Sequence, residues 1–401
     1  MTQEKSYRFN EIINSITCTI EQRMQDEIFL NPTYEKGLLG FSLYFAYLAK
    51  YKNEQSYFSK AEECFEQGLG SLNLKDPVKG YIAKSLDYQL SQIGRFVEFA
   101  TSHNLLNISA SEYLLRLDDV LFDLMKSKVK INDFDSASGA LAAGYYFLSR
   151  AKNGLVLEKQ LSYLVNSIYD AALKDDDGDY YWDSPLLYKR IYLGISHGSS
   201  LIISFLSSAY EYNIERELCK KALEKAVNFL LKQCRKSGHK GLFPNMIGDK
   251  LAPMQFSLCY GDIGIGYALS KAEKILQSEK ITSFTTFVLA DCLLRSAEDK
   301  LTLDGSIFYG ASGLGIAFDR VAETSGDSNF TVRANYWYEQ IPTFAIHTND
   351  YLGFQTRLEK EEETWNLWNI SFGWGILGIG ASLMQFLDRS LPSLAPLTFV
   401  A

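Results

Sequence analysis

Short stretches of this chain place a reactive side chain just ahead of a glycine. FDSASG carries Asp135, GISHGSS carries His197, QFSLCYGD carries Cys259 and Tyr260, and SIFYGASG carries Tyr309. A carboxylate, an imidazole, a thiol and a phenol are groups that move protons or become nucleophiles near neutral pH. Imidazole titrates near about 6.5, so His197 suits acid–base work. A thiol titrates near about 8.5 and needs a cation or a base before it attacks. Each group also has a purely structural reading. His197 suits a bond to a loop carbonyl, and Asp135 suits a helix N-cap. Cys259 suits a buried apolar thiol, and Tyr309 suits a packed aromatic. Tyr260 reads as part of a rim wall. Trp365, Trp368 and Trp374 line either a peptide cleft or the core.

The elements that carry these residues are helical. KALEKAVNFLLKQ has apolar Ala222, Leu223, Ala226, Val227, Leu230 and Leu231 at helical spacing, which predicts an amphipathic helix with a charged outer face. Other segments are apolar nearly all round: 37–49, 138–148, 196–206, 260–269, 309–318 and 373–387, with a weaker copy at 90–99. Each has a glycine or serine within its first two residues. Successive copies lie roughly 50–65 residues apart, enough for two helices and their loops. Buried helices alternating with amphipathic ones predict an all-α fold, an α/α toroid. About seven inner helices would sit inside about seven outer ones, in a single domain over 1–401. The glycine-led starts would then gather at one end, where backbone N–H groups converge.

The chain has 401 residues, 47% of them hydrophobic and 14% aromatic, enough to bury a large core. Its net charge is −8 and it has no Lys/Arg-rich run, which argues against a nucleic-acid partner. The polar start MTQEKSYRFN and the absence of a long apolar run predict no transmembrane segment and a cytoplasmic location. The six cysteines are scattered without a CxxC pair, so reduced thiols are expected. KDDDGDYYWD, residues 174–183, fails the calcium-loop pattern because Leu173 stands where the first aspartate belongs, and it reads as a solvated turn.

GISHGSS, CYGDIGIG, YGASGLGIAF and the glycine-led repeat, in this order over nearly the whole chain, resemble the lanthionine synthetase C-like family. The resemblance implies a toroid that binds zinc at its glycine-rich end. It implies addition of a peptide cysteine thiol to dehydroalanine or dehydrobutyrine, forming a thioether ring. It makes His197 and Asp135 the proton-handling positions and Cys259 the first zinc ligand. The other two ligands, a Cys-His pair, fall on Phe308 and Tyr309. Leu258 stands where the family usually has tryptophan, and Gln255 where an arginine is common. A catalytic zinc wants three protein ligands, and one cysteine does not hold it. The other histidines, His103, His239 and His347, do not lie beside the lost pair. The expectation is therefore no metal and no other cofactor.

Two readings follow. One is a lanthipeptide cyclase with an atypical or zinc-free site, using His197, Asp135 and Tyr309 in catalysis and Cys259, Tyr260 and Gln255 against the substrate. The other is a non-catalytic pseudo-cyclase that binds a precursor peptide or a modifying enzyme. Both make a precursor peptide the partner, with a dehydratase of the same pathway as a second. A carbohydrate-processing toroid would need paired carboxylates, which the sequence does not supply.

Overall fold

The computed structural model describes residues 3–24, 26, 31–72, 85–235, 241–248, 255–345, 350–355 and 365–400. His239, His347 and the side chain of Trp365 lie outside the described residues. The described chain is helical, with one two-residue hairpin, Leu173–Lys174 against Tyr180–Tyr181. Its contacts divide it into two compact units, and the chain passes between them more than once.

The first unit comprises 1–110, 302–316 and 331–397. It contains α1 (Gln3–Arg23), α2 (Leu38–Lys52), α3 (Gln55–Gly70) and α4 (Leu86–Ser102). The second comprises 111–301, 317–330 and 398–401. It contains α5 (Ser111–Val129), α6 (Leu141–Lys152), α7 (Glu158–Asp170), α8 (Ser199–Glu211), α9 (Arg216–Lys232), α10 (Asp262–Leu276) and α11 (Glu279–Leu294). The ranges of α12 (Ala311–Ser325) and α13 (Ser328–Gln340) straddle the division, while α14 (Trp365–Ile370) and α15 (Ile376–Leu387) belong to the first unit.

The two helix types expected from the sequence are present. In α2 every residue from Leu38 to Ala49 is buried, and α8 is buried from Ser199 to Ala209. By contrast α9 buries one face only, through Cys219, Ala222, Leu223, Ala226, Val227, Phe229 and Leu230. Leu231 sits half-buried at the edge of that face. Within the first unit α2 packs on α3 and α15, and within the second α10 packs on α8 and α11. Each fully buried leucine or phenylalanine contributes about 1.5–3 kcal/mol, so the all-round apolar helices carry much of the burial.

A recurring loop starts these inner helices. At Gly198 an added Cβ would lie 2.1 Å from the carbonyl oxygen of Tyr192, six residues earlier. The same six-residue relation recurs at Gly37 with Asn31 and Gly139 with Asp133, and again at Gly261 with Gln255, Gly310 with Asp304 and Gly375 with Asn369. The N–H after the glycine closes the loop on the same carbonyl: Ser199 on Tyr192 at 3.0 Å, Leu38 on Asn31 at 3.0 Å, Ala140 on Asp133 at 2.8 Å, Ala311 on Asp304 at 3.0 Å. Where the opening residue is Asn31, Asp133 or Asp304, its Oδ1 also accepts from the N–H two residues on, at 3.1, 3.1 and 2.8 Å. The glycine is required because a side chain would strike backbone that the loop cannot move.

The expected solvated turn at 174–183 is the hairpin turn. Asp175 Oδ1 accepts from the N–H groups of Asp177 and Asp179. The Lys232 ammonium lies 2.9, 2.5 and 2.7 Å from the Asp175, Asp177 and Asp179 carboxylates. The chain's own cation thus offsets part of that cluster's charge. No helix among the described residues is long and apolar enough to cross a membrane.

Candidate functional site

The loop register fixes which side chains are equivalent. The residue before the helix-starting glycine is Lys36, Ser138, His197, Tyr260, Tyr309 or Trp374, and one position earlier stand Glu35, Ala137, Ser196, Cys259, Phe308 and Gly373. His197, Tyr260 and Tyr309 are therefore copies of one position, and Cys259 and Phe308 copies of the next.

In the second unit the loops before α6, α8 and α10 lie side by side. Ser136 Oγ donates to the Ser196 carbonyl at 2.7 Å, and Ser196 Oγ donates to the Cys259 carbonyl at 3.2 Å. This ladder sets Asp135 against His197, with Nδ1 to Oδ2 at 2.6 Å. The Asp135 side chain is fully buried, while that of His197 keeps 19% of its surface. The aspartate also serves its own loop: Oδ1 accepts from the N–H groups of Ala137 and Ser138 at 2.8 and 2.9 Å. The capping and functional readings of Asp135 therefore coexist, one on each oxygen. Burial alone would push the Asp135 carboxyl up. The His197 charge and hydrogen bond, with the two N–H donors, win and hold it well below the usual carboxylate range. Beside it the Asp133 carboxyl is raised, first by burial and then by the Asp135 charge.

Tyr192 and Tyr260 flank the imidazole, with ring centroids 6.0 and 6.1 Å away. The Tyr260 loop is held by Ser257, whose N–H donates to the Tyr260 carbonyl at 2.9 Å. Cys259 is buried, 4% exposed. Gln255 opens this loop, and its Nε2 is buried without a hydrogen-bond partner. The second unit thus brings Asp135, His197 and Tyr260 together and joins Cys259 to them through the backbone.

Tyr309 and Phe308 belong to the first unit. Tyr309 is half-buried, and its N–H lies 3.3 Å from Ser306 Oγ. Phe308 is buried, and its N–H donates to the Gly373 carbonyl at 2.9 Å. Its ring meets Trp374 edge-on, centroids 4.7 Å apart, and Trp374 meets Trp368 in the same way at 4.5 Å. A Cβ on Gly373 would come within 2.6 Å of the Phe308 ring, so the neighbouring loop is shaped around the phenyl group. The Lys36 ammonium stands 4.9 and 4.8 Å from the Trp368 and Trp374 ring centroids. Next to it, Glu35 accepts from Gln92 Nε2 at 2.8 Å and from the Tyr88 hydroxyl. Sequence reasoning missed Glu35 and Lys36. The signal was available, because Asn31 precedes Gly37 by the same six residues as Asp133 precedes Gly139.

These residues do not fit the zinc that the family resemblance implies. Phenylalanine has no donor atom, and a tyrosine is not a ligand in a Cys-His role. Among the described residues, the His, Cys, Asp and Glu donors close enough to share one ion are those of Asp175, Asp177 and Asp179, not a set around Cys259.

One further carboxylate holds the frame of the site. Asp262, the first residue of α10, accepts from the N–H groups of Leu242 and Phe243 at 2.8 and 3.1 Å. The same strand of loop then pairs with the His197 segment, through Leu193 N–H to the Asn245 carbonyl and Ile247 N–H to the Ile191 carbonyl. Burial pushes the Asp262 carboxyl up to about 6; the two N–H bonds and Arg295 oppose this, while Asp291 adds to it. The folded value lies above the unfolded one. Its stability contribution is therefore full below about pH 4 and lost as pH rises through about 6. Urea unfolding of the wild type and Asp262→Asn at pH 5 and 7 checks this. The variant gains on the wild type by about 1 kcal/mol between the two; a loss over the same interval contradicts the assignment.

A family model described as lanthionine synthetase C-like protein matches residues 28–398. No curated protein matches the chain. Among solved structures, nisin cyclase is similar with a TM-score of 0.67 and 17% identity, over 95% of this chain and 94% of that one. At that identity the likeness speaks for the fold, and it is the all-α toroid that the glycine-led repeat predicts.

Proposed function

Because the chain belongs to the lanthionine synthetase C-like family, we propose that it acts in lanthipeptide maturation, adding a peptide cysteine thiol to dehydroalanine or dehydrobutyrine at a site without zinc. The observation that carries this reading is the Asp135–His197 pair. An ionised Asp135 keeps the proton of the facing ring nitrogen on Nδ1, so Nε2 is the basic one. Nε2 takes the proton of the substrate thiol. The sulfur bonds to the alkene β-carbon, and the π electrons move to the carbonyl oxygen as an enolate. The imidazolium returns the proton to the α-carbon, so one S–H and one C=C become one C–S and one C–H. Tyr309 is assigned as a second proton donor on its place in the loop register alone. Cys259, Tyr260 and Gln255 are assigned to the substrate wall. Holding thiol and alkene together supplies effective molarity to a reaction that is already slow but feasible.

On this reading the partner is a dehydrated precursor peptide, a dehydratase supplies it, the compartment is the cytoplasm, and 1–401 works as one domain. A second reading, a pseudo-cyclase that binds the peptide without chemistry, is favoured by the packing of Phe308 against Trp374 and Gly373.

The test is thioether formation on a dehydrated precursor, read as loss of alkylatable thiol by mass spectrometry. The wild type is expected to accelerate it above the uncatalysed rate. Asp135→Asn should lower the rate about 10-fold or more, since the Nδ1 proton loses its carboxylate acceptor and the imidazolium its counter-charge. Binding without acceleration would replace the cyclase reading by the pseudo-cyclase one, and no binding would remove both.

A further inference from the structure

The helices that start at the candidate site carry a second group of charges at their far ends. The 13 residues of α8 take the chain about 20 Å away from the His197 loop. Ser208 and Glu211 lie in its last turn, Lys152 ends α6, Lys271 and Lys274 lie near the end of α10, and Arg320 and Glu323 lie on α12. All of these residues belong to the second unit.

Cations at helix C-termini are ordinary, because they meet the carbonyl end of the helix dipole. That accounts for exposed Lys152 and for Lys274, whose Nζ donates to the Thr324 carbonyl at 2.7 Å. Arg320 is likewise engaged, by Glu323 at 2.9 Å and by the Val400 carbonyl at 3.3 Å. Lys271 is different. It is 7% exposed, and among the described residues its ammonium has one hydrogen-bond acceptor, Ser208 Oγ, and no ion pair. An ammonium carries three donors, so two are left over. The Ser208 hydroxyl accepts from Lys271 and keeps its own proton to donate. Burial pushes the Lys271 ammonium down to about 8; Glu211 opposes this, and the charges of Arg320, Lys152 and Lys274 add to it. A buried cation among like charges is costly unless an anion meets it.

We propose that Lys271 and Ser208, with Lys152 at the rim and the Arg320 charge behind them, form a binding site for a small doubly charged oxyanion of the sulfate or phosphate type. Two Lys271 N–H groups and the Ser208 hydroxyl point three donors at one tetrahedral acceptor. Two charges suit the site better than one, because Glu323 offsets Arg320 while Glu211 alone opposes the three lysines. The low exposure of Lys271 and Ser208, 7% and 9%, favours a compact ion.

The test is calorimetric titration of the full chain with sodium sulfate at constant ionic strength, with chloride as the control. Sulfate should give a saturable heat and chloride none. At about pH 8.5, in two buffers of different ionisation enthalpy, binding should take up part of a proton, because the anion favours the charged form of Lys271 and sulfate itself does not titrate there. Lys271→Met should weaken binding about 10-fold or more and abolish the uptake. Lys152→Ala, a change at an exposed site, should weaken binding about 3-fold and keep the uptake. No saturable heat, binding without proton uptake, or a folded Lys271→Met that binds like the wild type overturns the proposal. Should Lys271→Met fail to fold, the wild-type proton uptake and Lys152→Ala decide it. Glycerol 2-phosphate binding as tightly as sulfate would assign the site to a phosphoryl group on a larger molecule, and its exclusion to the free ion. No readout involves thioether formation, so the result is independent of the cyclase reading.

Discussion

Replacing His197 by alanine lowers thioether formation by about 10²–10⁴-fold, the range for a lost general acid–base. Peptide affinity changes little, because the ring is bracketed by Tyr192 and Tyr260 rather than being the only wall. The contrast with Cys259→Ala carries the information. Without a metal, the Cys259 thiol has no role in activating the substrate thiol, so its removal leaves the rate within a few-fold of wild type. The assay is single-turnover conversion of a dehydrated precursor, measured with each variant after its helical circular dichroism is matched. The reverse order, with Cys259→Ala inactive and His197→Ala nearly silent, would establish a metal or a covalent thiol mechanism.

Gly198→Ala is expected to destabilise the protein by about 3 kcal/mol or more, at the upper end for overpacking. Its Cβ would fall 2.1 Å from the Tyr192 oxygen, 2.2 Å from the Tyr192 carbonyl carbon and 2.6 Å from the Leu193 nitrogen. All three are backbone atoms, held by the Ser199-to-Tyr192 and Leu193-to-Asn245 hydrogen bonds. Gly70→Ala, at the end of α3 where nothing lies within 4 Å, serves as the control and changes stability by about 0.5 kcal/mol or less. Equal urea midpoints for the two variants would mean that the loop relaxes freely and does not set the position of His197.

The helices were legible because burial leaves a periodic mark. The all-round apolar run at 196–206 became α8 and the striped one at 222–231 became α9, with Leu231 moved to the edge. Boundaries were less legible. The segment expected from Ser138 begins its helix at Leu141, because the six-residue loop uses Ser138 and Gly139 for closure. Asp135 and His197 were readable as types, but their 2.6 Å pairing joins residues 62 apart and depends on the serine ladder at Ser136 and Ser196. Periodicity carries no trace of such a contact.

In the loops before Gly37, Gly139, Gly198 and Gly310 the closing carbonyl, the glycine and the N–H that follows it are all indifferent to the side chain just before the glycine. That position holds a lysine, a serine, a histidine, two tyrosines and a tryptophan across the copies. The scaffold and its chemistry can thus drift separately. One place earlier the loop is equally tolerant: a phenyl ring at Phe308 and a thiol at Cys259 occupy equivalent positions. Activity can then be lost, retuned or regained through single substitutions at these stations, without passing through an unfolded ancestor.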